Sequence, residues 1–181
     1  AYTPVIATRY GPDPADVARA ADALAAAKRP VIYAGTGVHW ARAWPQLKAL
    51  AELLAAPVTT SLGGKSSFPE DHALALGSGG LAIPKPVRHF LDNADLILGI
   101  GCSFTETNFG VKMPAGKKII HSTLDPDHLN KDVACEIGLV GDAGLTLDAL
   151  LAELAGRVKV RRDAGPVAAQ TAPQAPAPRA P

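Results

Sequence analysis

The chain has 181 residues, with 18 Lys plus Arg against 17 Asp plus Glu and 48% hydrophobic residues. This is the composition of a globular domain, and its net charge of +1 leaves no electrostatic footprint for a nucleic acid or an anionic membrane. No apolar run reaches the roughly 18 residues of a membrane span, and two cysteines without a Cys-x-x-Cys pair, Cys102 and Cys135, argue against a disulfide scaffold and for a reducing, cytoplasmic setting.

In chain order, residues 1–12 are extended in character and are expected to form an incoming linker. Asp13-Pro14 is a helix start, an N-cap acid followed by Pro at the first helical position. Val17, Ala20, Ala21 and Leu24 then recur at helical spacing up to Ala27. Val31-Ile32-Tyr33-Ala34 is a short apolar run ending in Gly35-Thr36-Gly37, which predicts a buried strand and a tight loop. A helix is predicted over about 41–55, with Leu47, Leu50, Leu53 and Leu54 on its buried face. Pro57 to Thr60 reads as the second strand, followed by Gly63-Gly64. A third helix covers about Pro86 to Asn93, and Leu96 to Gly101 is the third strand. A long loop follows. Lys118 to His121 and Ile137 to Val140 are the fourth and fifth strands, the last ending at Gly141-Asp142. Leu145 to Leu154 is the final helix. From residue 157 to 181 the chain is rich in Pro and Ala, a composition that favours an extended spacer and is expected to be an outgoing linker.

Strands and helices alternate, and the strands are continuous apolar runs. Both faces of such a sheet need cover, which implies an α/β fold: a doubly wound parallel sheet, a Rossmann-like three-layer sandwich, over residues 13–156. Ligands of such sheets bind beyond the carboxyl ends of the strands. Those ends carry Gly35-Thr36-Gly37, Gly64-Lys65, Gly101 and Asp142. Glycine admits close backbone approach to a phosphate or sugar, although tight strand-to-helix turns use glycine for their own geometry as well.

Stronger motifs are excluded. A dinucleotide fingerprint from Gly35 needs glycine where Trp40 stands, and one from Gly99 needs glycine where Phe104 stands. A P-loop ending in Gly64-Lys65-Ser66 needs glycine where Thr59 stands. The histidines, His39, His72, His89, His121 and His128, form neither metal spacing nor a triad pattern, and no base stands beside Cys102 in sequence. No catalytic residue and no metal ligand is therefore assigned.

Five segments in order resemble the central domain of thiamine-diphosphate-dependent enzymes, the group of acetolactate synthase, pyruvate oxidase, oxalyl-CoA decarboxylase and benzaldehyde lyase. They are Arg29 to Gly37; Ala56-Pro57-Val58 with Gly64-Lys65 and Phe68 to His72; Ala94 to Gly101; His121 with Asp125-Pro126; and Val140 to Ala143. The resemblance implies a non-catalytic domain between two others of the same chain, in a cytoplasmic homo-oligomeric lyase or transferase. Thiamine diphosphate and magnesium would be held outside this segment, since Gly141-Asp142 is followed by Ala143 and no Gly-Asp-Gly is present.

The resemblance leaves three uses open for the domain itself: FAD binding, ADP binding, or architecture alone. A self-contained nucleotide- or flavin-binding module of the same fold is the alternative. Ser103 stands where flavin-binding members carry Arg, Thr123 where many carry an acid, and Ser66 where a glycine is usual. These departures weaken FAD binding. If a nucleotide binds, Gly35, Thr36, Gly37, Gly64, Lys65, Gly101, Ser103, Thr123 and Asp142 are the residues expected to line its site.

Overall fold

A computed structural model describes residues 8–80 and 82–158. The incoming segment is described from residue 8, and the outgoing segment beyond residue 158 lies outside the described residues. The elements are α1 (Pro14–Ala26), β1 (Pro30–Ala34), α2 (Gly37–Trp40), α3 (Trp44–Leu54), β2 (Val58–Thr60), β3 (Ala75–Ser78), α4 (Lys85–Asn93), β4 (Leu96–Ile100), β5 (Lys118–Thr123), β6 (Ile137–Val140) and α5 (Ala143–Leu154), with a 3-10 turn at Pro126–His128.

The six strands form one sheet in the order β3-β2-β1-β4-β5-β6, and every pairing is parallel. This is the doubly wound order 3-2-1-4-5-6. All residues of β1 and β4, at the centre, are buried. α1 packs on α5 and α5 on α3, forming one helical layer. Right-handed crossovers place α4, on the return from β3 to β4, against the other face. Val31, Ile32, Ile97, Leu98, Ile120 and Leu139 fill the core with Leu24, Leu47, Leu50, Leu147 and Leu150 from the helices.

Local chemistry explains the element ends. The Asp13 side chain accepts from the Ala15 amide at 2.7 Å, with Pro14 in the first turn. Asp142 caps α5 in the same way, accepting from the amides of Gly144 and Leu145. At the opposite end of the sheet, the Asp95 carboxylate accepts from the amides of Lys28 and Arg29 and ties β4 to the entry of β1.

The sheet has six strands rather than the expected five. The additional one is β3, an edge strand that presents one buried residue, Leu76. It pairs with β2 through a register shift and contains Gly77 at φ +88°. A short, bulged edge strand lacks the apolar run that marks a central one. The helix expected over 41–55 begins at Trp44, because the chain first makes the short α2 and then turns through Arg42 at φ +52°. The long connection after β4 is present, with neither helix nor strand between Ile100 and Lys118.

Candidate functional site

Ala34 pairs with Thr60 on one side and with Ile100 on the other, so β1, β2 and β4 end level. Their loops therefore meet where the strand order reverses, between β1 and β4. The glycines there interlock. The Gly35 amide donates to the Ile100 carbonyl at 2.9 Å, and the Gly37 amide donates to the Gly101 carbonyl at 2.8 Å. A Cβ on Gly37 would lie 2.7 Å from the Gly101 Cα, and one on Gly64 would lie 2.4 Å from the Ala34 carbonyl oxygen. These glycines serve backbone packing, and they leave a cleft of about 550 Å³ above them.

Of the nine residues expected from the sequence, Gly35, Thr36, Gly37, Gly101, Ser103, Thr123 and Asp142 line this cleft. Gly64 is buried beneath it, and Lys65 lies outside. The Lys65 ammonium donates to Glu70 at 2.7 Å, and its backbone carbonyl accepts from the His39 ring. The second ring nitrogen of His39 accepts from the Trp44 indole at 2.9 Å, so both ring nitrogens of His39 are engaged. Ser66 has φ +65°, which accounts for a glycine being usual there, and its hydroxyl donates to Glu70 at 3.0 Å.

The floor is aromatic, which the sequence did not flag. Tyr33 stacks on Phe104 with ring centroids 5.6 Å apart, and Phe104 meets the His121 ring edge-on at 4.8 Å. Phe104 holds φ +49° within the loop 101–104, a backbone conformation that L residues rarely adopt. His121 is fully buried. Its Nε2–H donates to the Cys102 carbonyl at 2.9 Å, and its Nδ1 has no partner among the described residues. Burial pushes the His121 pKa down, against the opposing effect of that hydrogen bond. Burial also pushes the Tyr33 hydroxyl up to about 12 and the Cys102 thiol up to about 12. Cys102 is thus a packed residue rather than a reactive thiol.

Asp125, Asp142 and His128 line the cleft, and neither lysine nor arginine does among the described residues. Thr123 and the His128 Nδ1 are hydrogen-bonded at 3.1 Å, and the Asp125 carboxylate stands 3.5 Å from the His128 Nε2. The Asp142 carboxylate is held low in pKa chiefly by its hydrogen bond from Arg9, with the α5 amides adding to the effect. The preceding segment follows the same edge, since the Asp142 amide donates to the Tyr10 carbonyl and the Tyr10 hydroxyl donates to the Leu124 carbonyl at 2.6 Å.

Diphosphate groups are held by a bound cation, by cationic side chains or by backbone amides at a helix N-terminus. This lining supplies neither lysine nor arginine, and Asp142 is committed to its helix cap and to Arg9. Among the described residues no cluster of three or more His, Cys, Asp or Glu residues is positioned to hold a metal. No helix among the described residues is long and apolar enough to cross a membrane.

A doubly wound sheet with a glycine-lined switch point defines a Rossmann-like α/β domain. Residues 17–150 match the family described as thiamine pyrophosphate enzyme, central domain, and the chain belongs to that family. Among curated relatives, the chain is 41% identical over 143 residues to the probable acetolactate synthase large subunit of Methanocaldococcus jannaschii, covering 78% of this chain and 24% of that protein. It is 37% identical over 154 residues to the probable 2-ketoarginine decarboxylase AruI of Pseudomonas aeruginosa, covering 84% of this chain and 26% of the relative. The chain thus spans about a quarter of the length of the curated relatives it matches.

Two solved structures agree in fold. A putative thiamin diphosphate-dependent enzyme from Mycobacterium smegmatis superposes with a TM-score of 0.71 at 30% identity, covering 91% of this chain and 31% of the other. Benzoylformate decarboxylase from Polynucleobacter necessarius gives 0.69 at 29% identity, covering 84% and 29%.

Proposed function

We propose that this chain is the framework domain of a larger thiamine-diphosphate-dependent enzyme, whose other domains hold the cofactor, magnesium and the reacting 2-oxo acid. The chemistry of that enzyme is decarboxylation, or formation or cleavage of a carbon–carbon bond. The domain contributes rigidity: a fully buried central sheet and interlocked loops on which neighbouring domains and further subunits assemble in a homo-oligomer. The observation that carries this reading is the lining of the cleft, which holds Asp125 and Asp142 but no lysine or arginine, the Arg9 guanidinium outside it being paired with Asp142. FAD or ADP would bring a diphosphate to that lining with no cationic partner, since Ser103 offers a hydroxyl and Lys65 is paired with Glu70 outside the cleft.

Two measurements test this. Purified chain should be colourless and show no thermal shift with FAD, ADP or NAD; a yellow protein, or a shift that saturates with ADP, would replace the framework reading with the alternative of a nucleotide-binding module. The full-length enzyme should consume a 2-oxo acid only with thiamine diphosphate and magnesium. Absence of a Gly-Asp-Gly…Asn segment after Pro181 in the full-length protein would overturn the assignment.

A further inference from the structure

One set of linked side chains in the cleft has no part in the framework role. Thr123 ends β5, Asp125 caps the 3-10 turn that follows, and His128 ends that turn. All three line the cleft. The Thr123 Oγ1 lies 3.1 Å from the His128 Nδ1, and the His128 Nε2 lies 3.5 Å from the Asp125 carboxylate. The other carboxylate oxygen, Oδ1, accepts from the Asp127 amide at 3.0 Å and fixes the side chain in place.

These contacts set the direction of the protons. An ionised carboxylate only accepts, so the Nε2 proton of neutral His128 faces Asp125. Nδ1 then presents its lone pair to Thr123, and the Thr123 hydroxyl is the donor. The hydroxyl oxygen also accepts from the Asp125 amide at 3.3 Å, and that donor stabilises negative charge on it. A hydroxyl bonded to an imidazole that a carboxylate orients is the arrangement of an activated nucleophile. The outer separation of 3.5 Å is long, and such bonds tighten when substrate binds.

The surroundings select the substrate. The cleft has a volume of about 550 Å³, and the exposed apolar side chains Trp40, Leu62, Phe109 and Leu124 line it. Among the described residues no lysine lines it, so no amine there competes for an acyl group, and Cys102 is buried.

We propose that Thr123 is an acyl-accepting nucleophile, with His128 as its general base and Asp125 as the positioning residue, acting on activated esters and thioesters with apolar groups. In the first step the Thr123 Oγ1 bonds to the carbonyl carbon and the bond from that carbon to the leaving oxygen or sulfur breaks. The hydroxyl proton passes through the His128 Nδ1 to the leaving group. In the second step water attacks the acyl-threonine and gives a proton to the His128 Nδ1. That proton returns to the Thr123 Oγ1 as the acid departs, so the sum is hydrolysis by one water. The inference is independent of the framework reading, because it uses neither thiamine diphosphate nor a neighbouring domain.

The test mixes the full 181-residue chain with p-nitrophenyl butyrate and follows p-nitrophenolate release and chain mass. A burst of about one p-nitrophenolate per chain, with one butyryl group placed on Thr123 by peptide mass mapping, supports the proposal. Thr123→Val should abolish burst and label, and Thr123→Ser should restore both. His128→Gln should slow labelling of Thr123 about 10²-fold or more. Asp125→Asn keeps a capping oxygen and should slow labelling several-fold at an unchanged half-saturating ester concentration, whereas a residue that only shaped the loop would change that concentration too. No label on Thr123, label confined to His128, Cys135 or a lysine, or an unchanged rate in His128→Gln overturns the proposal. An unchanged rate in Asp125→Asn overturns the role given to Asp125. If Thr123→Val fails to fold by circular dichroism, mapping in the unaltered chain and the His128→Gln rate still decide.

Discussion

A Cβ added to Gly35 would lie 2.3 Å from the carbonyl oxygen of Gly101, so the loops after β1 and β4 are in backbone contact at the switch point. The obstacle is main chain on both sides, and no side-chain rotation relieves it. Gly35→Ala should therefore cost about 3 kcal/mol, at the upper end for overpacking. At Gly77 nothing lies within 4 Å and only the φ of +88° opposes a side chain, so Gly77→Ala should cost about 1–2 kcal/mol. Urea denaturation of the two variants checks the order.

Ser66 holds a left-handed backbone at φ +65° on the exposed turn before Glu70. Ser66→Gly removes a conformational cost of about 1–2 kcal/mol and loses one exposed hydrogen bond to Glu70. A net stabilisation of about 0.5 kcal/mol is expected after the added chain entropy of glycine. A lower urea midpoint for the variant would show that the hydroxyl contact outweighs the strain.

Asp142 caps α5 and receives the Arg9 guanidinium. Asp142→Ala should lose about 1 kcal/mol through the cap, whereas Asp142→Asn keeps a capping oxygen and should lose only the exposed ion pair, about 0.5 kcal/mol or less. The folded pKa of Asp142 is depressed, first by Arg9. Its stabilisation is therefore complete above the unfolded pKa of about 3.9 and is lost as pH falls through the folded value. Asp142→Asn should flatten the acid limb of a stability-versus-pH curve below about pH 4.

His121 is buried with an unpartnered Nδ1 and a depressed pKa. The folded state prefers the neutral ring, so its contribution is complete above the unfolded pKa of about 6.5 and is lost as pH falls toward the folded value. His121→Phe should remove this dependence between about pH 6.5 and the acid limb, at the expense of the bond to the Cys102 carbonyl. Guanidinium unfolding across that range tests it, and an unchanged slope would place the dependence on another group.

Cys102 is 8% exposed with its thiol pushed up to about 12, while Cys135 is only partly buried. A thiol reagent at pH 8 should label Cys135 slowly, because burial raises its pKa too, and should leave Cys102 unmodified until the protein unfolds. Rapid labelling of both in the native chain would contradict the packing at the loop 101–104.

By itself the sequence determined the layers of this protein and where its central strands lie along the chain. Runs such as Val31 to Ala34 and Leu96 to Ile100 are apolar throughout because both faces are covered, and Asp13-Pro14 marks a helix start through its own hydrogen bonds. Those signals are local, so they can be read along the chain. Family membership was legible for the same reason, in short motifs that preserve turns and strand ends. Tertiary structure alone decided the remainder. β3 exists because β2 offers an unpaired edge, and no apolar run in Ala75 to Ser78 announces it. Gly64 and Gly101 look alike in sequence, yet one is buried beneath the cleft and the other lines it, since level strand ends bring some loops together above others. Lys65 is expected from the sequence to line the site, and only the tertiary structure sets it outside the cleft with Glu70 beside it. The make-up of the cleft's lining was likewise invisible, because Asp125 and His128 come from the loop after β5 and Asp142 from the loop after β6, and their convergence depends on the register of those two strands.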